Sequence, residues 1–325
     1  MIQGKICFNE MYNPIVSVLL PVYNYNNILP VLDSILNQTY SDFELLICDD
    51  GSNPKLVWPD LDDQRIRLFS NKNNIGLGGT LNRLLSKSSL SCKYFATVEQ
   101  DDIYRPYYLE KCVSFLEEND DYGLVSGISE FWDGSKVVYK FPGMLANGKQ
   151  YPIGKEMFLL NYMRQIKVSH TCMVVNKKVH EDNGLKFSKK YPSLSVDWDY
   201  ILRFSLVSKI GGLHQTLVTQ DRREDRSSLT TKIQLKNNVS RKLLIDFYNE
   251  FPYIIKPYHY KYALATQLYI EIGTERFINR VFFLFNYIFP LDPNSKRKSN
   301  RLKKELNRLY RFFYNKIIKR LFWKV

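Results

Sequence analysis

A strand followed by a helix, repeated along the first 130 residues, constrains the fold of this chain more than any other feature. Residues 15–20 are a short β-branched and leucine run stopped by Pro21. Residues 28–38 follow with apolar positions at Ile28, Leu32, Ile35 and Leu36, the spacing of one helix face. The alternation recurs, with strands expected at 43–48, 65–69, 94–98 and 123–128 and helices at 77–85 and 106–116. Strands that alternate with helices predict an α/β chain with a doubly wound, mostly parallel sheet. In such sheets ligands bind beyond the carboxyl ends of the strands. Three polar segments begin where apolar strands stop: 21–24, 49–52 and 99–102.

After about residue 130 the alternation loosens into Gly- and Pro-rich connections, with helices expected at 154–162 and 200–207 and a strand at 171–175. Beyond about residue 230 the sequence reads as helices over 233–248, 258–271, 275–289 and from 299 to the end. Two regions are expected: an α/β domain over 1–228, with ligand sites beyond its strand ends, and a helical C-terminal extension over 229–325. The net charge of +13 is concentrated in residues 295–325, where twelve Lys/Arg face one acid, Glu305. Leu302, Leu306, Leu309, Phe313, Ile317 and Leu321 recur there at three- and four-residue steps among basic positions. That is the pattern of a basic amphipathic helix with interfacial aromatics, whose expected partner is an anionic membrane surface. Without a recognition motif beside the charge, no nucleic acid partner is expected.

Five widely spaced cysteines, Cys7, Cys48, Cys92, Cys112 and Cys172, contain no C-x-x-C pair, which argues against a disulfide framework or a zinc site. No run of 18 apolar residues occurs, so no spanning helix is expected. These features together predict a cytoplasmic protein, peripheral on the inner face of the cell membrane. Gly76-Leu77-Gly78-Gly79 lacks the spacing of a dinucleotide loop and reads as a helix-start turn.

Acidic residues gathered at a sheet edge repel one another unless a cation or a hydrogen-bonding ligand compensates them. A hard divalent ion suits Asp101 and Asp102, because Mg²⁺ and Mn²⁺ take one or two carboxylates and fill their shells with phosphate oxygens and water. The alternative is that Asp102 caps the following helix and the cluster Glu99-Gln100-Asp101-Asp102 is only solvated.

Five motifs in order give the sequence a wider resemblance. They are 18–24 (VLLPVYN) with 34–40 (SILNQTY), 43–52 (FELLICDDGS), 74–77 (NIGL), the acidic cluster with 103–106 (IYRP), and 197–200 (DWDY) with Arg203. Together they resemble the family 2 glycosyltransferases of the A-type fold. The resemblance implies a UDP- or dTDP-sugar donor, UDP favoured, bound through Pro21, Tyr23, Asp49, Asp50, Glu99, Gln100 and Arg223. Tyr23 would stack on the base, Asp50 would accept from its N–H, and Asp49 would support their loop. The family's metal motif is Asp-x-Asp; here Glu99 stands first and Asp101 last, so Asp101 is the implied ligand for Mn²⁺ or Mg²⁺. Asp197 occupies the place of the catalytic base, although Val196 replaces the Glu usual before it. Asp225, where a His is common, is a second metal contact or loop anchor, and Arg223 or Arg226 would hold diphosphate. His170 resembles a position near the acceptor pocket, against the plainer reading of a structural histidine.

If Asp197 and Asp199 share a helix, their side chains diverge by roughly 200°, so only one can face a substrate. The expected activity is an inverting, metal-dependent transfer, of a hexose by preference, to a glycan or lipid-linked acceptor in cell-surface polysaccharide synthesis. A sugar-nucleotide-binding protein with impaired catalysis is the alternative, kept open by Glu99 and Val196.

Overall fold

The computed structural model describes residues 14–59, 62–191, 195–223 and 233–273. Asp225, Arg226, Cys7, the helices expected at 275–289 and from 299 onward, and the basic stretch 295–325 lie outside the described residues. The chain divides into two compact units, Met1–Gln267 and Leu268–Val325. All described elements belong to the first, apart from the last turns of the final helix.

The elements run β1 (Val16–Val22), α1 (Leu29–Leu36), β2 (Phe43–Asp49), β3 (Ile66–Ser70), α2 (Leu77–Leu85), β4 (Tyr94–Thr97), β5 (Asp102–Tyr104), α3 (Tyr108–Glu118) and β6 (Tyr122–Trp132). They continue with β7 (Val137–Phe141), α4 (Gly143–Ala146), α5 (Lys155–Met163), a 3-10 turn at His170–Cys172, β8 (Val174–Asn176), α6 (Lys177–Asp182), α7 (Val196–Phe204), β9 (Lys209–Asp221), α8 (Ile233–Glu250) and α9 (Pro257–Gly273). The nine strands form one sheet in the order β3-β2-β1-β4-β8-β6-β9-β5, with β7 paired to β6. Strands β3, β2, β1 and β4 are mutually parallel, as are β6 and β9; β8, β5 and β7 join antiparallel. The architecture is therefore the expected α/β sheet, rich in parallel pairs at its N-terminal half and mixed beyond β4.

The unbroken apolar runs of β1 and β2 follow from burial on both faces. Val16, Val18, Leu20, Phe43, Leu45 and Ile47 point into one core with α1 and α3, while Leu19, Leu46 and Cys48 point into the other with α2 and α7. A third cluster joins α5, α7 and α8 through Phe158, Tyr162, Trp198, Leu202, Leu243 and Phe247. For this reason the first compact unit runs past residue 228 to Gln267. Cys48, Cys92, Cys112 and Cys172 are separate buried thiols.

Several elements differ from the sequence reading. The helix expected from residue 200 starts at Val196, four residues earlier. The strand expected at 171–175 begins as a 3-10 turn and is extended only over Val174–Asn176. Residues 102–104, offered as a helix entry, form β5, paired with β9 by the register Asp102↔Gln220. Long-range pairing thus overrides the local capping signal at Asp102.

Candidate active site

The strand order reverses between β1 and β4, so the loops leaving these two strands diverge and open a crevice. Strand β4 pairs with β1 only as far as Leu19↔Thr97, whereas β1 continues along β2 to Val22↔Asp49. Pro21 therefore sits where β1 has β2 alone as a neighbour, and its missing N–H takes no bond from β4. The crevice has an edge formed by the loops after β1 and β2 and a floor formed by the turn after β4.

The edge is tightly bonded. Asp49 Oδ1 accepts from Ser52 N at 3.0 Å, and Asp50 Oδ1 accepts from Asn71 Nδ2 at 2.7 Å and Ile75 N at 2.9 Å. Asn24 N donates to Ser52 Oγ at 2.8 Å, and Asn24 Oδ1 accepts from Asn53 N at 2.9 Å. Gly51 holds φ +71 with a Cβ position 2.5 Å from the Asn73 backbone, so no other residue fits between the two loops. Tyr23 projects from this edge, 38% exposed, and its N–H donates to Gln100 Oε1 at 2.8 Å. Of the predicted donor residues, Tyr23, Asp49, Asp50 and Gln100 thus belong to one bonded unit.

The floor serves two cavities. One, about 20 Å³, is lined by Pro21, Glu99, His170, Val196 and Asp197 together with the apolar Leu77, Leu81, Met173 and Phe187. The other, about 220 Å³, is lined by Gln100 and Asp101 with Tyr25, Asn27, Ile103, Trp132, Asp221 and Arg223. Glu99 and Asp101 therefore serve different cavities, and the distant predictions Asp197 and Arg223 fall on one each. Gly78, in the first turn of α2, has its Cβ position 2.2 Å from Ser188 O. Gly78 thus lets α2 approach the backbone at Ser188, next to Phe187, which lines the smaller cavity.

Asp197 and Asp199 both lie in the first turn of α7, after Ser195 at φ 60. Asp197 faces the smaller cavity. Asp199, 2% exposed, turns away and meets Arg203 at 3.3 Å, and Arg203 in turn holds Glu250 of α8 at 2.6 Å. Burial pushes the Asp199 carboxyl up to about 6 against the pull of Arg203. Trp198, between them, donates from Nε1 to Asn161 O at 2.9 Å.

His170 stands between two acids, with Nδ1 3.0 Å from Asp197 Oδ2 and Nε2 4.0 Å from Glu99 Oε1. The closer contact is poorly aligned, since Nδ1 is buried without a hydrogen-bond partner. Glu99 keeps a third of its side chain exposed, yet its carboxyl is pushed up by burial and by the carboxylates of Asp101 and Asp197, which outweigh His170 and Arg222. Arg223 is held by Asp221 at 2.8 Å and lies over the Trp132 ring at 5.6 Å.

Among the described residues, no group of three His, Cys, Asp or Glu side chains is gathered to hold a metal ion. Asp101 offers a hard carboxylate donor on the lining of the larger cavity, where Asp221 is engaged by Arg223. That set fits a divalent ion held chiefly by substrate phosphate and water, the usual habit of Mg²⁺. Sequence reasoning missed Tyr25, in the loop just after β1, and Trp132 and Asp221, whose placement depends on β6 and β9 reaching the crevice from the far half of the sheet.

The family model for glycosyl transferase family 2 matches residues 17–184, which contain the crevice floor and His170. The chain belongs to glycosyl transferase family 2. Among its curated relatives, an uncharacterized glycosyltransferase of Haemophilus influenzae is 32% identical over 214 residues, covering 62% of each chain. A UDP-Glc:alpha-D-GlcNAc-diphosphoundecaprenol beta-1,3-glucosyltransferase of Escherichia coli is 32% identical over 130 residues, covering 39% of this chain and 50% of the relative. This family 2 chain thus matches less than two thirds of the length of either relative. The crystal structure of S. aureus TarS 1-349 shares the fold with a TM-score of 0.54 at 15% identity, covering 84% of this chain and 80% of that one. The same TarS region in complex with UDP-GlcNAc gives a TM-score of 0.51 at 17% identity, covering 72% and 66%.

Proposed function

We propose that this chain is an inverting, metal-dependent glycosyltransferase that moves a sugar from a UDP- or dTDP-sugar to a hydroxyl of a glycan or lipid-linked acceptor. The observation that carries the reading is the crevice between β1 and β4, where Glu99 and Asp197 face one cavity beside the Tyr23–Gln100 edge. The UDP-GlcNAc complex of TarS and the donor and lipid-linked acceptor in the name of the E. coli relative support a nucleotide sugar on one side and a lipid-linked glycan on the other.

In this mechanism Tyr23 stacks on the base, and Asp50 accepts from the base N–H while Asp49 keeps the loop in place. The acceptor hydroxyl gives its proton to a carboxylate oxygen of Asp197 as its oxygen bonds to the anomeric carbon. The bond from that carbon to the diphosphate breaks on the opposite face, and its electron pair leaves with the diphosphate. Mn²⁺ or Mg²⁺ held by Asp101, with Asp225 as a second contact, would neutralise the charge on the leaving group. No protein acid is then needed there. Arg223 can turn to the diphosphate only by exchanging its bond to Asp221. Through residues 295–325 the protein would sit on the anionic inner face of the membrane, in reach of lipid-linked acceptors for cell-surface polysaccharide synthesis. Among the described residues, no helix is long and apolar enough to cross a membrane.

The test is a panel of nucleotide sugars assayed for binding and for transfer, with and without Mn²⁺. Binding of a UDP-sugar that strengthens with Mn²⁺, and transfer that Asp197→Asn abolishes, are expected. A donor bound equally well without the ion would overturn the metal assignment, and binding with no transfer by the wild type would favour the catalytically impaired alternative. Removal of residues 295–325 is expected to abolish co-sedimentation with anionic vesicles; unchanged sedimentation would sink the membrane reading.

A further inference from the structure

Two of the places where this chain departs from its family's pattern, Glu99 for Asp and Val196 for Glu, lie around the same cavity. Val196 is 1% exposed and packs in the core under α7, so Asp197 has no acidic residue immediately before it. Its nearest polar neighbour across the cavity is instead His170, 3.0 Å from Asp197 Oδ2 through Nδ1 and 4.0 Å from Glu99 Oε1 through Nε2. A Glu at 99 reaches one methylene further than the Asp it replaces, toward that ring.

The ring is carried on a backbone that is bonded from several sides. His170 O accepts from Thr97 Oγ1 at 3.1 Å, Thr171 O accepts from Tyr104 OH at 2.8 Å, and Ser169 O accepts from Ser126 Oγ at 2.6 Å. Gln220 Nε2 donates to Thr171 Oγ1 at 3.1 Å. Tyr104 OH also accepts from Glu99 N at 2.8 Å, so one tyrosine fixes the backbones of both Glu99 and the 3-10 turn.

We propose that His170 is a positioning residue, clamped between Glu99 and Asp197, that fixes the carboxylate of Asp197 for proton removal from the acceptor. The loss of the acid at 196 and the longer acid at 99 are then one coupled change. The proposal rests on the reading of Asp197 as the base. A carboxylate at the start of a helix has rotamer freedom, and a donor at Nδ1 would engage Oδ2 and leave Oδ1 to take the acceptor proton. An acceptor hydroxyl bonded to the other carboxylate oxygen would draw the Nδ1–Oδ2 contact into line.

The experiment uses the full chain with whichever UDP-sugar supports transfer, and compares His170→Leu, His170→Asn and Glu99→Asp. His170→Leu is expected to lower kcat about 10²-fold with the donor KM changed less than about threefold. UDP binding by calorimetry should be retained, which shows that the site is folded. His170→Asn puts an amide N–H close to the place of Nδ1 and should recover about tenfold of that loss. Glu99→Asp, which restores the family residue, should lower kcat by about tenfold rather than leave it unchanged. The proposal is overturned if His170→Leu stays within threefold of wild type, if Leu and Asn lose activity equally, or if UDP binding falls with activity. It is also overturned if Glu99→Asp equals or exceeds wild type. A wild-type chain that transfers from no donor would instead defeat the proposed function itself.

Discussion

Glu44, near the start of β2, and Glu99, just past the end of β4, lie toward opposite ends of the parallel strands, and their surroundings differ in kind. Glu44, on β2, is 2% exposed and accepts from Ser17 Oγ at 2.8 Å, Ser89 N at 2.6 Å, Ser89 Oγ at 2.8 Å and Arg67 Nη1 at 2.7 Å. Burial alone would raise its carboxyl, but these donors hold it below the ordinary range. Glu99, just past β4, keeps a third of its surface and is pushed the other way by burial and by two nearby carboxylates. A charge saturated with donors belongs to the scaffold. A charge crowded by like charges costs stability and is kept where a ligand or a reaction compensates it.

The contrast can be broken at either end. At the crevice end, Asp197→Asn should lower transfer by about 10³-fold or more, roughly 4 kcal/mol of barrier. Its thermal midpoint should stay within about 2 °C of wild type, because Asp197 is not part of the core. At the scaffold end, Glu44→Gln should cost about 2–3 kcal/mol in urea unfolding while leaving donor affinity unchanged. Because the Glu44 carboxyl is lowered on folding, its contribution is present above the ordinary carboxylate range and lost as pH falls through the folded value. The Gln variant should therefore show the flatter acid limb.

Asp199 sharpens the comparison with the opposite sign. Its carboxyl rises from 3.8 to about 6 on folding, so its contribution is full below about pH 4 and fades as pH rises through about 6. Unfolding of Asp199→Asn followed between pH 4 and 7 should lack that decline, which is worth about 2 kcal/mol. The smallest effect is expected at the exposed edge. Tyr23→Ala should raise the donor KM about tenfold, the worth of one stacked base, with kcat little changed.

What the sequence made legible follows the reach of the interactions. Strands β1 and β2 and helix α2 announce themselves because burial on both sheet faces writes continuous apolar runs, and a helix face writes a local period. Strand β9 does not. Its Gly211-Gly212 looks like a turn, yet the Cβ position of Gly211 lies 2.3 Å from the Phe115 ring, so that glycine is there for close packing. With β9 unread, β5 and Asp221 lose their context as well. The acids Glu99, Asp101 and Asp197 were visible as types and by resemblance, but their division between two cavities was not. Nor was the contact of His170 with Asp197, which depends on how a 3-10 turn faces the first turn of a helix. The divergence of Asp197 and Asp199 was legible, because it needs only the pitch of a helix.

Helix α7 is a wedge. Val196, Tyr200, Ile201 and Phe204 press on the sheet, Trp198 and Leu202 press on α8, and Asp197 emerges from the narrow strip that remains. The carboxylate is thus aimed by two hydrophobic contacts, one with the sheet and one with α8. A fragment ending near residue 228 would keep every motif of the family and still lose one jaw of the vice that aims its base. The smallest piece that can be expected to work runs to about Gln267.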